Sequence, residues 1–164
     1  MARMPKQRPG RSKQNYATPW EFVHRVETRL GIARFQHDFA ADVTNSKGIT
    51  HFDIKANALS LPSLEWRWSV GPTGWGWLNP PYANIEPWAQ MCYETYLKHG
   101  TRIALLVPAS VGSNWFRDYV FGAAKVLALN GRISFDGIAP YPKDCMLCLY
   151  GEKAGFDVWN WRTA

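Results

Sequence analysis

The sequence predicts an α/β protein with an open, Rossmann-type sheet and helices on both faces. Three observations lead there. Short apolar runs of strand length alternate with segments of helical periodicity. Those segments carry recognisable start and stop signals. Beyond the first 15 residues, no repeat or low-complexity linker breaks the alternation.

The first helix is expected from Thr18-Pro19-Trp20-Glu21, with Thr as N-cap, Pro at N1 and Glu at N3 in a capping box. Phe22, Val23, Val26 and Leu30 continue its apolar face, and Gly31 stops it. Phe35 to Ala41 reads as a short buried strand with Asp38 near its end. Asp42 to Pro72 lacks a sustained period and is expected to hold a connecting helix or loop with a short strand. Gly76 to Leu78 is the next strand. Ile85, Trp88, Cys92 and Tyr96 then mark one helix face, closed by Gly100.

Arg102 to Pro108 is the clearest buried strand. Ser113 to Tyr119 suits a short Ser-capped helix. Lys125 to Leu129, Ile133 to Phe135 and Cys145 to Tyr150 read as further strands, the last two as an antiparallel pair. Asn130-Gly131 signals a turn. Ligands in such sheets bind beyond the carboxyl ends of the strands, where strand order reverses. If the strands at Phe35 and Gly76 flank that point, Asp38 and Asn79 emerge side by side.

The chain of 164 residues fits a basic leader, 1–15, and one domain, 16–164. Hydrophobic content of 46% and nine Trp exclude a disordered class. No apolar run approaches the ~20 residues that span a bilayer. The basic N-terminus lacks the apolar stretch of a secretory signal, so a cytoplasmic protein is expected. Three cysteines, an odd set, suit a reducing compartment. Cys145-x-x-Cys148 has no second ligand pair nearby and reads as buried strand, so no metal is expected. A net charge of +6 favours a polyanionic partner. Arg3, Lys6, Arg8, Arg11 and Lys13 concentrate that charge in the leader, which reads equally as a phosphate-contacting arm or a solvated terminus.

Asn79-Pro80-Pro81-Tyr82, directly after an aromatic strand, is the most informative run. The Asn79 side-chain oxygen can accept one N–H of a planar amino group, and the Pro80 carbonyl the other. Proline removes competing donors, and the Pro-Pro pair holds the preceding residues extended. Tyr82 offers a face on which a base can stack. Such a site draws the amine's hydrogens out of the ring plane and frees its lone pair to attack a methyl group. The bland alternative is a Pro-Pro turn with Tyr82 in the core.

The run resembles motif IV of amino-group methyltransferases that use S-adenosylmethionine. More widely, the chain from about Tyr16 to Phe135 resembles the phage-type DNA N6-adenine methyltransferases. The resemblance rests on Tyr16-Ala17-Thr18-Pro19, on Phe35 to Ala41 with Asn45-Ser46-Lys47, and on Trp77 to Tyr82 with Trp88. Leu105 to Pro108, Trp115-Phe116 and Gly131 to Phe135 extend it. It implies a Rossmann-like S-adenosylmethionine-dependent methyltransferase sheet and a cofactor site at Tyr16, Thr18, Pro19, Asp38, Ala40 and Asn57. Asn79, Pro80, Pro81 and Tyr82 would be catalytic, and adenine in double-stranded DNA the substrate. Trp115, Arg132 and Lys143 are candidate nucleic-acid contacts, with a structural ion pair as the alternative for Arg132. The family also implies a phage or prophage setting, with protection of DNA from restriction. One departure stands out: no Gly-x-Gly follows the acidic strand, so Ala40-Ala41 must permit the cofactor's approach. Rivals are an RNA-base or protein-glutamine methyltransferase using the same loop, and an inactive DNA-binding relative.

Overall fold

The computed structural model describes residues 17–135 and 139–163. Along the chain run α1 (Trp20–Leu30), β1 (Phe35–Asp38), β2 (Gly48–His51), a 3-10 turn (Ala58–Ser60), α2 (Ser63–Val70) and β3 (Trp75–Leu78). There follow α3 (Glu86–His99), β4 (Arg102–Pro108), α4 (Asn114–Tyr119), β5 (Lys125–Asn130), β6 (Cys145–Tyr150) and β7 (Gly155–Asn160). All seven strands join one sheet in the order β2-β1-β3-β4-β6-β5-β7. The first four are mutually parallel. β6 lies antiparallel between β4 and β5, and β7 pairs parallel to β5 at the edge.

The expected α/β class, with helices on both faces, is what forms. On one face α2, α3 and α4 bring Trp66, Ala89, Cys92 and Phe116 against Leu78, Leu105, Val107 and Cys148. On the other, α1 packs Phe22, Val23 and Val26 against Phe35, Trp77, Leu106, Leu147 and Trp159. β4 and β6 are therefore covered on both sides, which is why β6, and β4 after Arg102, each read as an unbroken apolar run. Gly31 and Gly100 end α1 and α3 in the left-handed conformation, with φ of 66° at each. Ser113 caps α4 by accepting from the Phe116 N–H at 3.3 Å.

Four details differ from the sequence-based expectation. Thr18 does not cap α1: Pro19 is the N-cap, its carbonyl accepts from the Phe22 and Val23 N–H groups, and no side chain caps the end. The first strand ends at Asp38 rather than Ala41, because the chain bends there into a loop. Ile133 to Phe135 is buried but joins no strand, so β6 finds its antiparallel partners in β4 and β5. β7 has no counterpart among the expected elements. Its Phe156 and Val158 are 52% and 71% exposed, so the apolar alternation marks no core face. Cys145 and Cys148 sit on opposite faces of β6, one in each core layer, and cannot share a metal ion. Among the described residues no helix is long and apolar enough to cross a membrane.

β1 carries β2 on one side and β3 on the other. The strand order reverses there, and Asp38 pairs in register with Trp77, two residues before Asn79.

Candidate active site

A cavity of about 720 Å³ opens at this reversal. Its walls come from the entry to α1, the loops after β1 and β2, the Asn79–Ala83 loop after β3, and the segment Tyr141–Lys143.

The loop after β1 is organised by Asp38. This carboxylate is 3% exposed; Oδ1 accepts from the Ala40 N–H at 3.2 Å and Oδ2 from the Lys47 N–H at 2.9 Å. Both ends of the 39–47 loop are thereby tied to one side chain. Burial pushes the Asp38 carboxyl up to about 6, opposed by those two N–H groups and by the charges of Lys47 and His51. Lys47 is drawn the other way, its pKa lowered by desolvation while Asp38 partly restores it. Its ammonium lies 4.3 Å from the centre of the Trp20 ring. Beside them His37 shares a 2.7 Å hydrogen bond with Thr50, and burial holds it down to about 4, so it is neutral at pH 7.

The loop after β3 presents the second set of groups. Leu78 ends the strand fully buried, and Asn79, Pro80, Pro81 and Tyr82 follow directly on the cavity wall. The Asn79 amide nitrogen donates to Thr18 Oγ1 at 3.0 Å. The hydroxyl expected to cap α1 is thus engaged across 61 residues of sequence by the Asn-Pro-Pro-Tyr loop. The Tyr82 ring meets Phe135 and Tyr141 edge-on, at centroid distances of 6.3 and 5.8 Å. Its hydroxyl is buried without a hydrogen-bond partner among the described residues, and desolvation drives its pKa well above the ordinary phenol value. A backbone bond from the Tyr141 N–H to Ile133, 2.8 Å, joins the two segments behind that ring. Ile133 to Phe135 therefore serves as backing for the cavity wall rather than as sheet.

Over residues 6–145 the chain matches the model of the family described as DNA N-6-adenine-methyltransferase (Dam). The chain belongs to that family. Two phage proteins named DNA N-6-adenine-methyltransferase are similar to this Dam-family chain. The one from Escherichia phage T1 is 26% identical over 133 residues, covering 78% of this chain and 50% of that protein. The one from Haemophilus phage HP1 is 27% identical over 124 residues, covering 75% and 66%. The chain spans about half to two thirds of the length of these curated relatives.

The cavity of this Dam-family member gathers most of the residues singled out from the sequence. Thr18, Asp38, Ala40, Asn57, Asn79, Pro80, Pro81, Tyr82 and Lys143 all line it. Asn57 stands in the left-handed conformation, φ 47°, at the start of the 3-10 turn. Pro19 lies outside the lining as the α1 cap, and Tyr16 falls outside the described residues. Trp115 and Arg132 do not reach the cavity. Trp115 packs on α4 edge-on to Phe116, and Arg132 Nε donates to Asp144 at 3.3 Å, the ion-pair alternative. Sequence reasoning missed Asp53, Lys55 and Tyr141, which also line the cavity. Asp53 had a signal, an acid just beyond the second strand of a Rossmann-type unit, where a ribose hydroxyl is commonly held. Its Oδ1 accepts from the Ala56 N–H at 2.9 Å.

Proposed function

We propose that this chain transfers a methyl group from S-adenosylmethionine to the N6 amino group of adenine in DNA. One observation carries the reading: Asn79-Pro80-Pro81-Tyr82 and Asp38 emerge from adjacent parallel strands into one cavity. The match to the Dam family and the names of the two phage relatives support the same chemistry. The cavity volume lies within the roughly 300–1,000 Å³ typical of small-molecule clefts.

The donor set fits this cofactor. Asp38, kept from water and close to its ionisation point, provides negative charge for a ligand that carries an ammonium and a sulfonium. Asp53 and Asn57 offer polar groups for the adenosine part, and Ala40 lines the same cavity. When bound, S-adenosylmethionine supplies an electrophilic methyl group, which makes covalent enzyme chemistry unnecessary.

The chain's own residues do the rest by positioning and polarisation. Asn79 Oδ1 and the Pro80 carbonyl accept hydrogen bonds from the two N6–H groups and hold the lone pair toward the donor, and the one N6 proton displaced by the methyl group leaves to water. Tyr82 supports the base. In a duplex the adenine is paired and stacked, so it flips into the cavity at a cost of a few kcal/mol. In this reading the Lys and Arg of the basic leader serve as contacts to DNA phosphates. In this reading residues 16–164 act as one methyltransferase domain in the cytoplasm, as a phage-encoded protein would in its bacterial host. The methylation would protect DNA from restriction.

The test offers DNA, RNA and protein in parallel with a radiolabelled methyl donor, followed by nucleoside analysis. Label should enter DNA as N6-methyladenine. Label confined to RNA or to protein glutamine would replace the substrate. Cofactor binding by calorimetry with no label transferred to any acceptor would mark a relative that has lost turnover.

A further inference from the structure

We infer that Thr18 is a positioning residue for the Asn-Pro-Pro-Tyr loop, fixing the Asn79 amide so that its oxygen faces the reacting amine. The inference rests on the methyl-transfer reading above. An asparagine side chain has two arms of almost equal shape, one an acceptor and one a double donor. Only the acceptor arm can help at an amino group; the donor arm would set N–H against N–H. A partner that accepts from the donor arm leaves the oxygen for the amine, and a threonine hydroxyl can take that part with its lone pairs.

In this structure that partner is Thr18 Oγ1, 3.0 Å from Asn79 Nδ2. Thr18 is 3% exposed, so water cannot readily substitute for it. Its place is also fixed. The next residues enter α1, whose Phe22 packs edge-on to Trp77 at 6.4 Å, and Trp77 belongs to the strand that delivers Asn79. Helix and catalytic loop are thereby held to one frame. The cost of the arrangement is visible at the helix start, where Pro19 stands as N-cap and no side chain caps the end. The Thr18 hydroxyl serves the loop instead. The resemblance implied a cofactor contact for this residue, which lines the cavity; the hydrogen bond ties its hydroxyl to the catalytic loop.

Three variants test this in the full chain: Thr18→Val, of equal shape without the hydroxyl, Thr18→Ser, which keeps it, and Thr18→Val in an Asn79→Ala background. Single-turnover methylation of adenine-containing DNA at saturating cofactor is measured beside the calorimetric cofactor Kd. Thr18→Val should slow the methyl-transfer step about tenfold, the upper effect of one neutral hydrogen bond, and leave the Kd within about twofold. Thr18→Ser should recover most of the rate. In the Asn79→Ala background Thr18→Val should add nothing, because the pair acts as a unit. If Thr18→Val fails to fold, Thr18→Ala removes the same acceptor at smaller volume. An unchanged rate in the hydroxyl-free variant would overturn the inference. So would a weakened Kd with normal turnover, which would make the hydroxyl a cofactor ligand. No DNA methylation by the unsubstituted protein would instead overturn the reading of the preceding section.

Discussion

Asp38→Asn should make the ligand-free protein more stable at neutral pH while damaging its cofactor site. The folded-state pKa of Asp38 is raised from 3.8 to about 6, with burial as the main cause. Between those values the folded protein keeps a proton that the unfolded chain has released. Stability attributable to this group therefore falls as pH rises from about 4 to 6, then stays level. The difference corresponds to an ionisation cost on the order of 3 kcal/mol above pH 6. Asparagine resembles the protonated acid: one oxygen still accepts, and one of the two backbone N–H groups, Ala40 or Lys47, loses its partner. It carries no charge to bury. The variant should therefore match the wild type near pH 4.5 and exceed it by about 1–3 kcal/mol at pH 8. For a chain of this size that is several degrees in Tm, at about 2–4 °C per kcal/mol.

Thermal unfolding of both proteins across pH 4.5 to 8 gives the difference curve, in which other titrating groups cancel. Cofactor affinity, by calorimetry, should fall at least ~10-fold in the variant, since a buried charge opposite a cation is lost. In the wild type it should weaken as pH falls through about 6 and Asp38 takes up its proton. A wild type more stable than the variant at pH 8 would refute the reasoning: the two N–H bonds would then outweigh the burial of charge.

Asn79→Ala should slow turnover at least ~100-fold with nearly unchanged cofactor Kd, the scale of losing a preorganised polar group; near-wild-type methylation would falsify its role. Deleting residues 1–13 should flatten the salt dependence of DNA binding without abolishing methylation, and an unchanged slope would leave the leader a solvated tail. Gly76→Ala should cost about 1–3 kcal/mol in urea denaturation, because a Cβ there would collide with the Phe39 ring. Sequencing of treated DNA should show methylated adenines in a short context, since most described residues belong to the sheet, its helices and the cavity wall rather than to loops free for base readout; one motif of six or more defined bases would contradict this.

Legibility followed the physics of each segment. β4 and β6 stood out because both faces are covered and, after Arg102 at the start of β4, every residue is buried. The Asn-Pro-Pro-Tyr loop stood out because few backbones need two consecutive prolines after a buried strand. Contacts made across the fold were hidden. Thr18 carries a local capping signature that the structure overrides, since its hydroxyl is engaged by a residue 61 positions away. Ile133 to Phe135 has a strand's composition, but it joins no ladder: Ile133 and Phe135 are buried in the core on the α1 side, where the Phe135 ring meets Tyr82 and Tyr141. Arg132 and Lys143 looked equivalent as cations; proximity to Asp144 claims the first, and only the second reaches the cavity.

The missing glycine-rich turn after β1 has a structural answer. A Gly-x-Gly loop permits close backbone approach by having no side chains. Here the loop keeps its side chains, and hydrogen bonds shape it instead. Asp38 ties its two ends, Asp42 accepts from the Thr44 and Asn45 N–H groups, and Asn45 Oδ1 accepts from the Asp42 N–H at 2.8 Å. The glycines lie on the neighbouring strands. Gly76 of β3 leaves room for the Phe39 ring, which stacks on Trp66 at 4.0 Å and lies buried at the cavity wall. Gly48 lets β2 lie close against the backbone of His37 and Asp38. The bulky ring beside Ala40-Ala41 is thus seated in the core, at 1% exposure, while the small side chains of Ala40 and Ala41 line the cavity with it. A side chain at Gly76 would act on the cavity through Phe39, so its effect should extend beyond stability to cofactor affinity.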